Sequence, residues 1–421
     1  MRLEEIAIHN FKCYKDLKLE NLHPNMNILL GNNGTGKSSL LEAIRVIIGS
    51  LYLSFDKYDN RIYSPGITDD DVRLALIDKN LETQFPCSVC GKAKVNSFEG
   101  KEGDEKEISW KRSIETKGGK TLYREAKQIQ EFSKQIQQSV RDGRNQTIPL
   151  VAYFSTDRYK KERRDTNVQP TGSRLQGYFN ALDSNTSLKF FLDLLYTETL
   201  DELQNQTESV VLKVVYNSIS KCLNSTSLFY HLKNKELMVG YANSTQLPFS
   251  LLSDGVRSTL ALVMELAFRC YLLNPQLGEN ATLETNGVVL IDEVDLHLHT
   301  SWQIHILNDL HDAFPKIQFI VTTHAPLIIS QVSDCMIYSI QENQIYNFPN
   351  QNGRDSNYIL QQMNVPYVKS KTKEKLDDYF GLIERGKGKS VQALRLRREL
   401  EAILGGNHAE LERADMLISF F

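Results

Sequence analysis

Residues 31–38 read Gly31-Asn32-Asn33-Gly34-Thr35-Gly36-Lys37-Ser38, and this stretch decides the fold. It matches the pattern GxxxxGK[ST], in which glycines let the backbone curl so that successive N–H groups converge on phosphate oxygens. An apolar segment from Met26 to Leu30 precedes the loop, and a helical pattern from Leu40 to Ile48 follows it. Strand, glycine-rich loop and helix is the order that a phosphate-binding loop requires, so the sequence predicts a nucleotide site here.

The chemistry of such loops assigns roles to individual side chains. The ammonium group of Lys37 is predicted to reach the β- and γ-phosphates of ATP, and the hydroxyl of Ser38 to bind magnesium. The positive N-terminal end of the following helix points at the same negative charge. The predicted nucleotide contacts of the loop are Asn32, Asn33, Gly34, Thr35, Gly36, Lys37, Ser38 and Ser39.

A second element is the apolar stretch 288–291, which ends in Asp292-Glu293. It predicts a strand that places two carboxylates at the carboxyl edge of a parallel sheet, where α/β proteins bind ligands. Asp292 is predicted to hold magnesium, and Glu293 to polarise the water that attacks the γ-phosphate. Many strands end in polar turns, so the Asp-Glu pair alone is weak evidence for a magnesium site. Together with the phosphate loop at 31–38, the pair is strong evidence.

Two further motifs lie on either side of that pair. Ser253-Asp254-Gly255 precedes a predicted helix, so its serine, its backbone and the helix N-terminus form an anion site. Since the chain already has a phosphate loop, this second anion site needs another role. His324 directly follows the apolar stretch Phe319–Thr323, about 30 residues after the Asp-Glu pair.

These elements in this order resemble the ABC-type head of the SMC and RecF class of ATPases. The first strand and the residues after it, 8–14, are similar to that class, with Lys12 at the position of its basic residue near the phosphates. The stretches 290–299 and 317–326 resemble a narrower bacterial family of compact RecF-like ATPases. That family includes the PtuA subunit of Septu-type antiphage defence and of related retron systems.

The resemblance implies an α/β ABC-type head with a short helical insertion and a helical C-terminal region. Its cofactors would be ATP and magnesium, and its catalytic residues Glu293, Lys37 and His324, the last as the switch histidine. Two copies would pair head to tail, or within a higher oligomer, so that Ser253 to Gly255 of one copy face the nucleotide of the other. Thr300 departs from the pattern, because relatives commonly have proline there.

Four domains are predicted along the chain. After Leu247, predicted helices (255–273, 300–312 and 326–331) alternate with predicted strands (287–292, 317–322 and 335–340), which is typical of a mostly parallel sheet. The last segment is predicted to be a docking or oligomerising surface, or else to pack on its own head. The predicted domains are an N-terminal lobe of the head (1–165), a mainly helical insertion (166–246), a C-terminal lobe (247–350) and a helical region (351–421).

The function implied by the resemblance is that of a regulatory ATPase in an antiphage complex, controlling a separate HNH-type nuclease. Two alternatives stay open. A RecF-like ATPase in DNA repair would contact DNA through the basic run 158–164, since phosphate contacts come from such clusters. A scaffold would bind ATP with little turnover. Chromosome-scale tethering is excluded, because a 30-residue helix spans only about 45 Å.

Composition sets outer bounds. The 421 residues are 41% hydrophobic and 24% charged, as in ordinary globular proteins. The net charge of -3 gives no hint of a nucleic-acid partner, so any nucleic-acid surface would have to be a local patch. No apolar run reaches the roughly 18–20 residues that span a bilayer, and the charged N-terminus lacks a signal peptide, which predicts a cytoplasmic protein without a membrane partner. Cys87 and Cys90 have metal-like spacing without a second pair, so a strand carrying two thiols is favoured over a zinc clasp shared between chains.

Overall fold

The computed structural model describes residues 1–56, 62–98, 104–158, 172–184, 188–223, 227–240, 246–354, 358–360, 370–406 and 408–420. Its contacts divide the chain into two compact units, Met1–Gly353 and Arg354–Phe421. The boundary falls after Gly353, close to the predicted start of the helical C-terminal region. The domain bounds predicted at 165 and 246 stay predictions.

The first unit is built on a six-stranded sheet. In spatial order its strands are β15 (Gln344–Phe348), β14 (Met336–Gln341), β3 (Met26–Leu30), β13 (Ile317–Thr323), β12 (Gly287–Ile291) and β8 (Leu150–Phe154). All neighbours pair in parallel except β15, which is an antiparallel edge. Every residue of β3, β8, β12 and β13 is buried, which explains why these strands are mainly apolar rather than alternating in sequence.

A four-stranded antiparallel sheet lies beside it, in the order β2 (Tyr14–Glu20), β1 (Arg2–Phe11), β6 (Cys87–Asn96) and β7 (Glu105–Ile114). The helix after the glycine-rich loop, α1 (Lys37–Ile48), contacts strands of both sheets. Trp110 on β7 donates its indole N–H to the Ile47 carbonyl at 3.0 Å, which fixes the antiparallel sheet against the last turn of α1. The helix α1 is thereby held between the two sheets.

The strand predicted around the two cysteines is confirmed as β6. Cys87 and Cys90 are three residues apart on this strand, so their side chains point to opposite faces of the sheet. Within the described ranges no group of three or more His, Cys, Asp or Glu side chains is placed to hold a metal ion.

Helices and small sheets complete the first unit. The segment predicted to be largely helical contains α3 and α4, whereas the sheet of β9 to β11 and the helix α2 were not predicted. The helices are α2 (Lys127–Arg141), α3 (Leu188–Asn205), α4 (Val210–Leu223), α5 (Asp254–Leu273), α6 (Ala281–Glu284), α7 (Thr300–Gln303), α8 (Ile306–Ala313) and α9 (Pro326–Ile329). The remaining strands are the hairpin of β4 (Leu74–Ile77) and β5 (Asn80–Thr83), and the sheet β11 (Gln246–Pro248), β10 (Glu236–Gly240) and β9 (Ser227–His231).

The single helix predicted over 300–312 is wrong in one respect, because it is interrupted between α7 and α8. The His305 N–H donates to the Trp302 carbonyl three residues back, a tighter turn than an α-helix makes. The α/β class, the parallel sheet and the helical C-terminal region are confirmed.

The described residues of the second unit include the helices α10 (Ser370–Glu384), α11 (Val391–Leu404) and α12 (Ala409–Phe420). It has a hydrophobic core of its own, formed by Leu376, Tyr379, Ile383, Ala393, Leu400, Leu411 and Ala414. A bidentate ion pair between Arg397 and Asp415 joins α11 to α12, with N···O distances of 2.9 and 2.8 Å. In the described part of the chain, no helix is long and apolar enough to cross a membrane.

Candidate nucleotide site

The glycine-rich loop joins β3 directly to α1, as predicted. Gly34 and Gly36 have φ values of 81° and 99°, a left-handed region that other residues rarely adopt. A Cβ atom at Gly36 would also lie 2.6 Å from the hydroxyl of Tyr14 and 2.7 Å from the sulfur of Cys13. Both the backbone angle and the close approach therefore require glycine at this position.

Lys37 folds back over the loop. Its ammonium group is buried and donates to the carbonyls of Gly31 at 2.7 Å and Asn32 at 2.8 Å. An ammonium has three N–H donors, so these bonds leave one for a ligand. The other predicted loop contacts lie along its open side, where Asn32, Asn33, Gly34 and Ser38 are exposed and Thr35, Gly36 and Ser39 are half-buried.

The two carboxylates predicted at the end of β12 are held by a threonine from the neighbouring strand β13. The Thr322 hydroxyl donates to Asp292 Oδ1 at 2.6 Å and accepts from the Glu293 N–H at 2.7 Å. Asp292 is buried, and Glu293 has a positive φ of 46°, where the chain turns out of the sheet. Sequence reasoning quoted Thr322 within a motif but gave it no role.

Arg158 also holds this turn, and sequence reasoning missed its contacts there. It follows β8, and its buried guanidinium donates to the carbonyl of Asp292 at 2.6 Å and to that of Glu293 at 3.0 Å. The interpretation of Arg158 as part of a basic run that contacts DNA is therefore wrong, because its guanidinium is buried and hydrogen-bonded to this turn. The rest of that run, 159–164, lies outside the described residues.

Lys37 and the carboxylates form one electrostatic group. Burial lowers the pKa of the Lys37 ammonium below its ordinary value. Three carboxylates oppose that shift, in decreasing order Glu293, Asp292 and Asp295. The loop and the end of β12 are thus close enough to interact, although 255 residues separate Lys37 from Asp292 in the chain.

Asp295 and His324 flank this group. Asp295 is buried, and its Oδ1 atom has no hydrogen-bond partner among the described residues. Its Oδ2 atom lies 3.6 Å from Nδ1 of His324, whose side chain is 52% exposed. Carboxylate and hydroxyl oxygens are the ligands that magnesium prefers, so the unpaired Asp295 oxygen, the Asp292 carboxylate and the exposed Ser38 hydroxyl fit that ion.

Lys12 is engaged within the chain. Its ammonium pairs with Glu42 on α1, and it lies 3.5 Å from Asp71 Oδ1. Its backbone has a φ of 48° and donates to the Asp71 carbonyl at 2.7 Å. These contacts place Lys12 beside the helix that follows the loop, and its contact with a nucleotide stays a prediction.

The motif Ser253 to Gly255 begins α5, and its polar side chains are turned to the surface. Ser253 is exposed at the N-cap position without a side-chain capping bond, and Asp254 pairs with Arg257 one turn later. Among the described residues, no hydrogen bond or ion pair connects this motif with Lys37 or Asp292. Gly255 is held tightly, since a Cβ atom there would lie 2.3 Å from the carbonyl oxygen of His297.

Comparison with known proteins adds independent findings. A family model described as AAA domain matches residues 5–224, more than half of the chain. The retron Vc95 probable ATPase of Vibrio cholerae serotype O1 biovar El Tor is 26% identical over 404 residues, covering 81% of this chain and 74% of that protein. The Septu protein PtuA of Bacillus mycoides is 27% identical over 350 residues, covering 81% of this chain but 41% of its own length.

A solved SMC head domain from Thermotoga maritima is similar at 14% identity with a TM-score of 0.44, covering 83% of this chain and 99% of that one. The curated matches confirm the resemblance to Septu PtuA and to retron ATPases that the sequence motifs indicated.

Proposed function

This chain belongs to the AAA domain family, and from that premise we propose that it binds ATP with magnesium and hydrolyses it in a site shared by two copies. The observation that carries the proposal is that the glycine-rich loop and the Asp292-Glu293 pair follow the carboxyl ends of β3 and β12, which are parallel strands of one sheet. A lysine on a phosphate loop and two carboxylates at the end of another strand of the same parallel sheet are the parts that phosphoryl transfer to water needs.

Each residue of the group has a role in this proposal. The loop from Asn32 to Ser39 wraps the phosphates with its backbone N–H groups, and Lys37 neutralises the β- and γ-phosphates. Glu293 orients and deprotonates the attacking water, while Thr322 and Arg158 fix the turn from which its carboxylate projects. His324 contacts the γ-phosphate from the opposite side, with its ring next to Asp295.

Ser38 and Asp292 would hold the magnesium ion, with Asp295 close by. When bound, that ion supplies positive charge that neutralises the phosphate oxygens. Thr322 keeps the Asp292 carboxylate in one orientation, because its hydroxyl occupies Oδ1 and leaves Oδ2 for the ion. Lys12 lies beside α1 and is the remaining cation that could contact the nucleotide.

The second copy supplies the other face of the nucleotide in this proposal. The exposed Ser253 and the N-terminal end of α5 form an anion site that no described residue of the same chain occupies. Such a site suits the γ-phosphate of a nucleotide bound to another copy. ATP then acts as an interfacial ligand, and its hydrolysis separates or reorients the heads.

In the cell, we propose that this ATPase is the regulatory subunit of an antiphage defence complex. Two relatives support this role by name, a retron ATPase and a Septu protein. The partner would be a separate HNH-type nuclease, docked on the C-terminal helical unit Arg354–Phe421. Slow turnover would suit a regulator that holds the complex in one state until ATP is consumed.

The test is purification of the wild-type protein and the Glu293→Gln variant together with the products of neighbouring genes. We expect a stable complex with a nuclease subunit, phosphate release by the wild type, and ATP trapped in the variant. Phosphate release that requires DNA and occurs without a partner would support a DNA-repair ATPase instead. Retained ATP without phosphate release in the wild type would indicate a scaffold.

A further inference from the structure

The hairpin of β4 and β5 carries an apolar surface that faces solvent. Four large side chains on it are exposed to an unusual extent, namely Leu74 (55%), Leu76 (71%), Ile77 (48%) and Leu81 (68%). Scattered exposed leucines are common, but Leu74, Leu76 and Leu81 share one face of the hairpin, because Leu76 pairs with Leu81 and Leu74 stands two residues along the same strand. Such a patch is of the kind that marks an interaction site. A lone two-stranded hairpin is also only marginally stable in water, so a partner would stabilise it.

The base of this hairpin lies at the nucleotide loop. The Arg73 N–H donates to the Asn10 carbonyl at 2.9 Å, and the Lys12 N–H donates to the Asp71 carbonyl at 2.7 Å. The next residues along β1 and β2, Cys13 and Tyr14, are those that approach Gly36. The base of the hairpin is therefore hydrogen-bonded to the segment that borders the phosphate loop.

A matching surface lies beside the α5 anion motif. Leu251 is 71% exposed and stands two residues before Ser253, in a 3-10 helix (Phe249–Leu251). The Ser250 N–H donates to Glu236 at 2.9 Å, which ties this segment to β10 and to the turn that carries Lys233. Lys233 is exposed and has no ion-pair partner among the described residues.

The charges of the two surfaces are complementary. The hairpin and the residues leading into it, Asp69–Glu82, contain five acidic and two basic residues. The surface beside Ser253 combines the exposed Leu251 with three basic residues (Lys233, Lys235 and Arg257) and two acidic ones (Glu236 and Asp254), so its net charge is positive. An acidic apolar hairpin and a basic apolar surface favour each other over like copies, because opposite potentials meet and apolar area leaves water.

We propose that the β4–β5 hairpin of one copy docks on the Leu251–Lys233 surface of a second copy, and that this contact strengthens their ATP-dependent pairing. This proposal rests on the shared nucleotide site of the proposed function, and it adds a second contact that stabilises the pair. In such a pair the phosphate loop of one copy faces the α5 motif of the other. The hairpin extends the first and Leu251 borders the second, so the contact continues the same interface. It would also restrict pairing to copies that carry both surfaces.

The test measures the dimer dissociation constant by sedimentation with ATP in a Glu293→Gln background. We expect Leu76→Asp with Leu81→Asp to weaken the dimer at least about tenfold, because both side chains would leave a buried contact. ATP binding should be unchanged when it is measured at protein concentrations below the dimer dissociation constant, where single copies prevail. Unchanged binding would show that the nucleotide loop is intact. The control is Leu203→Asp on α3, where an equally exposed leucine (61%) lies outside both surfaces.

Each result separates the two claims. An ATP-dependent dimer that the hairpin change leaves unaffected contradicts the docking proposal alone. A parent protein that forms no dimer with ATP contradicts the proposed shared site and the docking with it.

A cross-linking experiment identifies the partner surface directly. One copy carries Leu81→Cys and a differently tagged copy carries Leu251→Cys, and a short bis-maleimide is added with ATP. We expect a mixed product well above that of Leu203→Cys with Leu251→Cys. A product formed by the Leu81→Cys copy alone would indicate hairpin against hairpin and would overturn the proposal.

Discussion

The two halves of the proposed nucleotide site differ in how the chain holds them. On one side, Lys37, Asp292 and Glu293 are fixed by bonds within the chain, through the loop carbonyls, Thr322 and Arg158. On the other side, Ser253 presents an uncapped hydroxyl at an exposed helix N-terminus. The chain thus preorganises the chemical half and leaves the α5 half at its surface, as a site completed by a second copy requires.

The largest effect is expected from Lys37→Ala, which removes the cation from the fixed half. The phosphate-release rate should fall by about a thousandfold, because a buried group that neutralises phosphate charge is lost. ATP binding should fall with it, even for a single copy. Fluorescent-nucleotide titration and a phosphate assay measure both, with the exposed Lys106→Ala as a matched control. Unchanged ATP binding would show that Lys37 only stabilises the loop, through its hydrogen bonds to the Gly31 and Asn32 carbonyls, and does not contact the nucleotide.

The α5 half should respond differently to Ser253→Arg. We expect the phosphate-release rate to fall about a hundredfold, because a bulky side chain blocks the approach of a second copy's phosphate. ATP binding by a single copy should stay within about twofold of the wild type. The same two assays decide the point. A matching loss of single-copy binding would place Ser253 in the nucleotide site of its own chain.

A smaller effect is expected from Arg158→Lys, which sharpens the account of the fixed half. A lysine ends in a single nitrogen and lacks the planar fork with which Arg158 directs two separate nitrogens at the Asp292 and Glu293 carbonyls, so this anchor of the turn is weakened. We expect kcat to fall about tenfold with little change in KM, since the role is positioning rather than contact with ATP. If a thermal-unfolding assay showed that Arg158→Lys loses folded protein in the same proportion as it loses activity, the role of Arg158 would be purely structural.

The smallest effect concerns Asp309 on α8, next to Cys222 of α4. Burial raises the pKa of Asp309 to about 6, with a small contribution from Asp312 and an opposing one from His305. Because the folded chain then keeps a proton that the unfolded chain has lost, stability should fall as the pH rises from about 4 to about 6. Melting temperatures of the Asp309→Asn variant should lack this component. Asp312→Asn is the control and should keep it.

The sequence predicted those parts of the site that are contiguous in the chain. The loop 31–38 lies between β3 and α1, the helix predicted from 255 begins at Asp254, and the strands predicted at 287–292 and 317–322 match β12 and β13 to within one residue. Each is a short unit with its own apolar period or glycine pattern, so local reasoning suffices.

The parts that depend on contacts between distant residues were not predicted. Arg158 reaches Asp292 across 134 positions, and a single sequence gives no signal for such a contact. Its position directly after the buried strand β8 was a partial signal, because parallel strands end at one edge of a sheet. The amphipathic helix α2 was missed because its many polar residues resemble those of the charged segments before it.

The most direct test of the shared site is complementation between two inactive variants. Lys37→Ala disables the fixed half and Ser253→Arg the α5 half, so each variant alone should release little phosphate. In an equal mixture, half of the dimers carry one copy of each variant, and one of the two sites in such a dimer has both halves intact. The account predicts recovery to about a quarter of the wild-type rate. A mixture no more active than the two separate variants would show that each site is built from one chain, and would contradict the account.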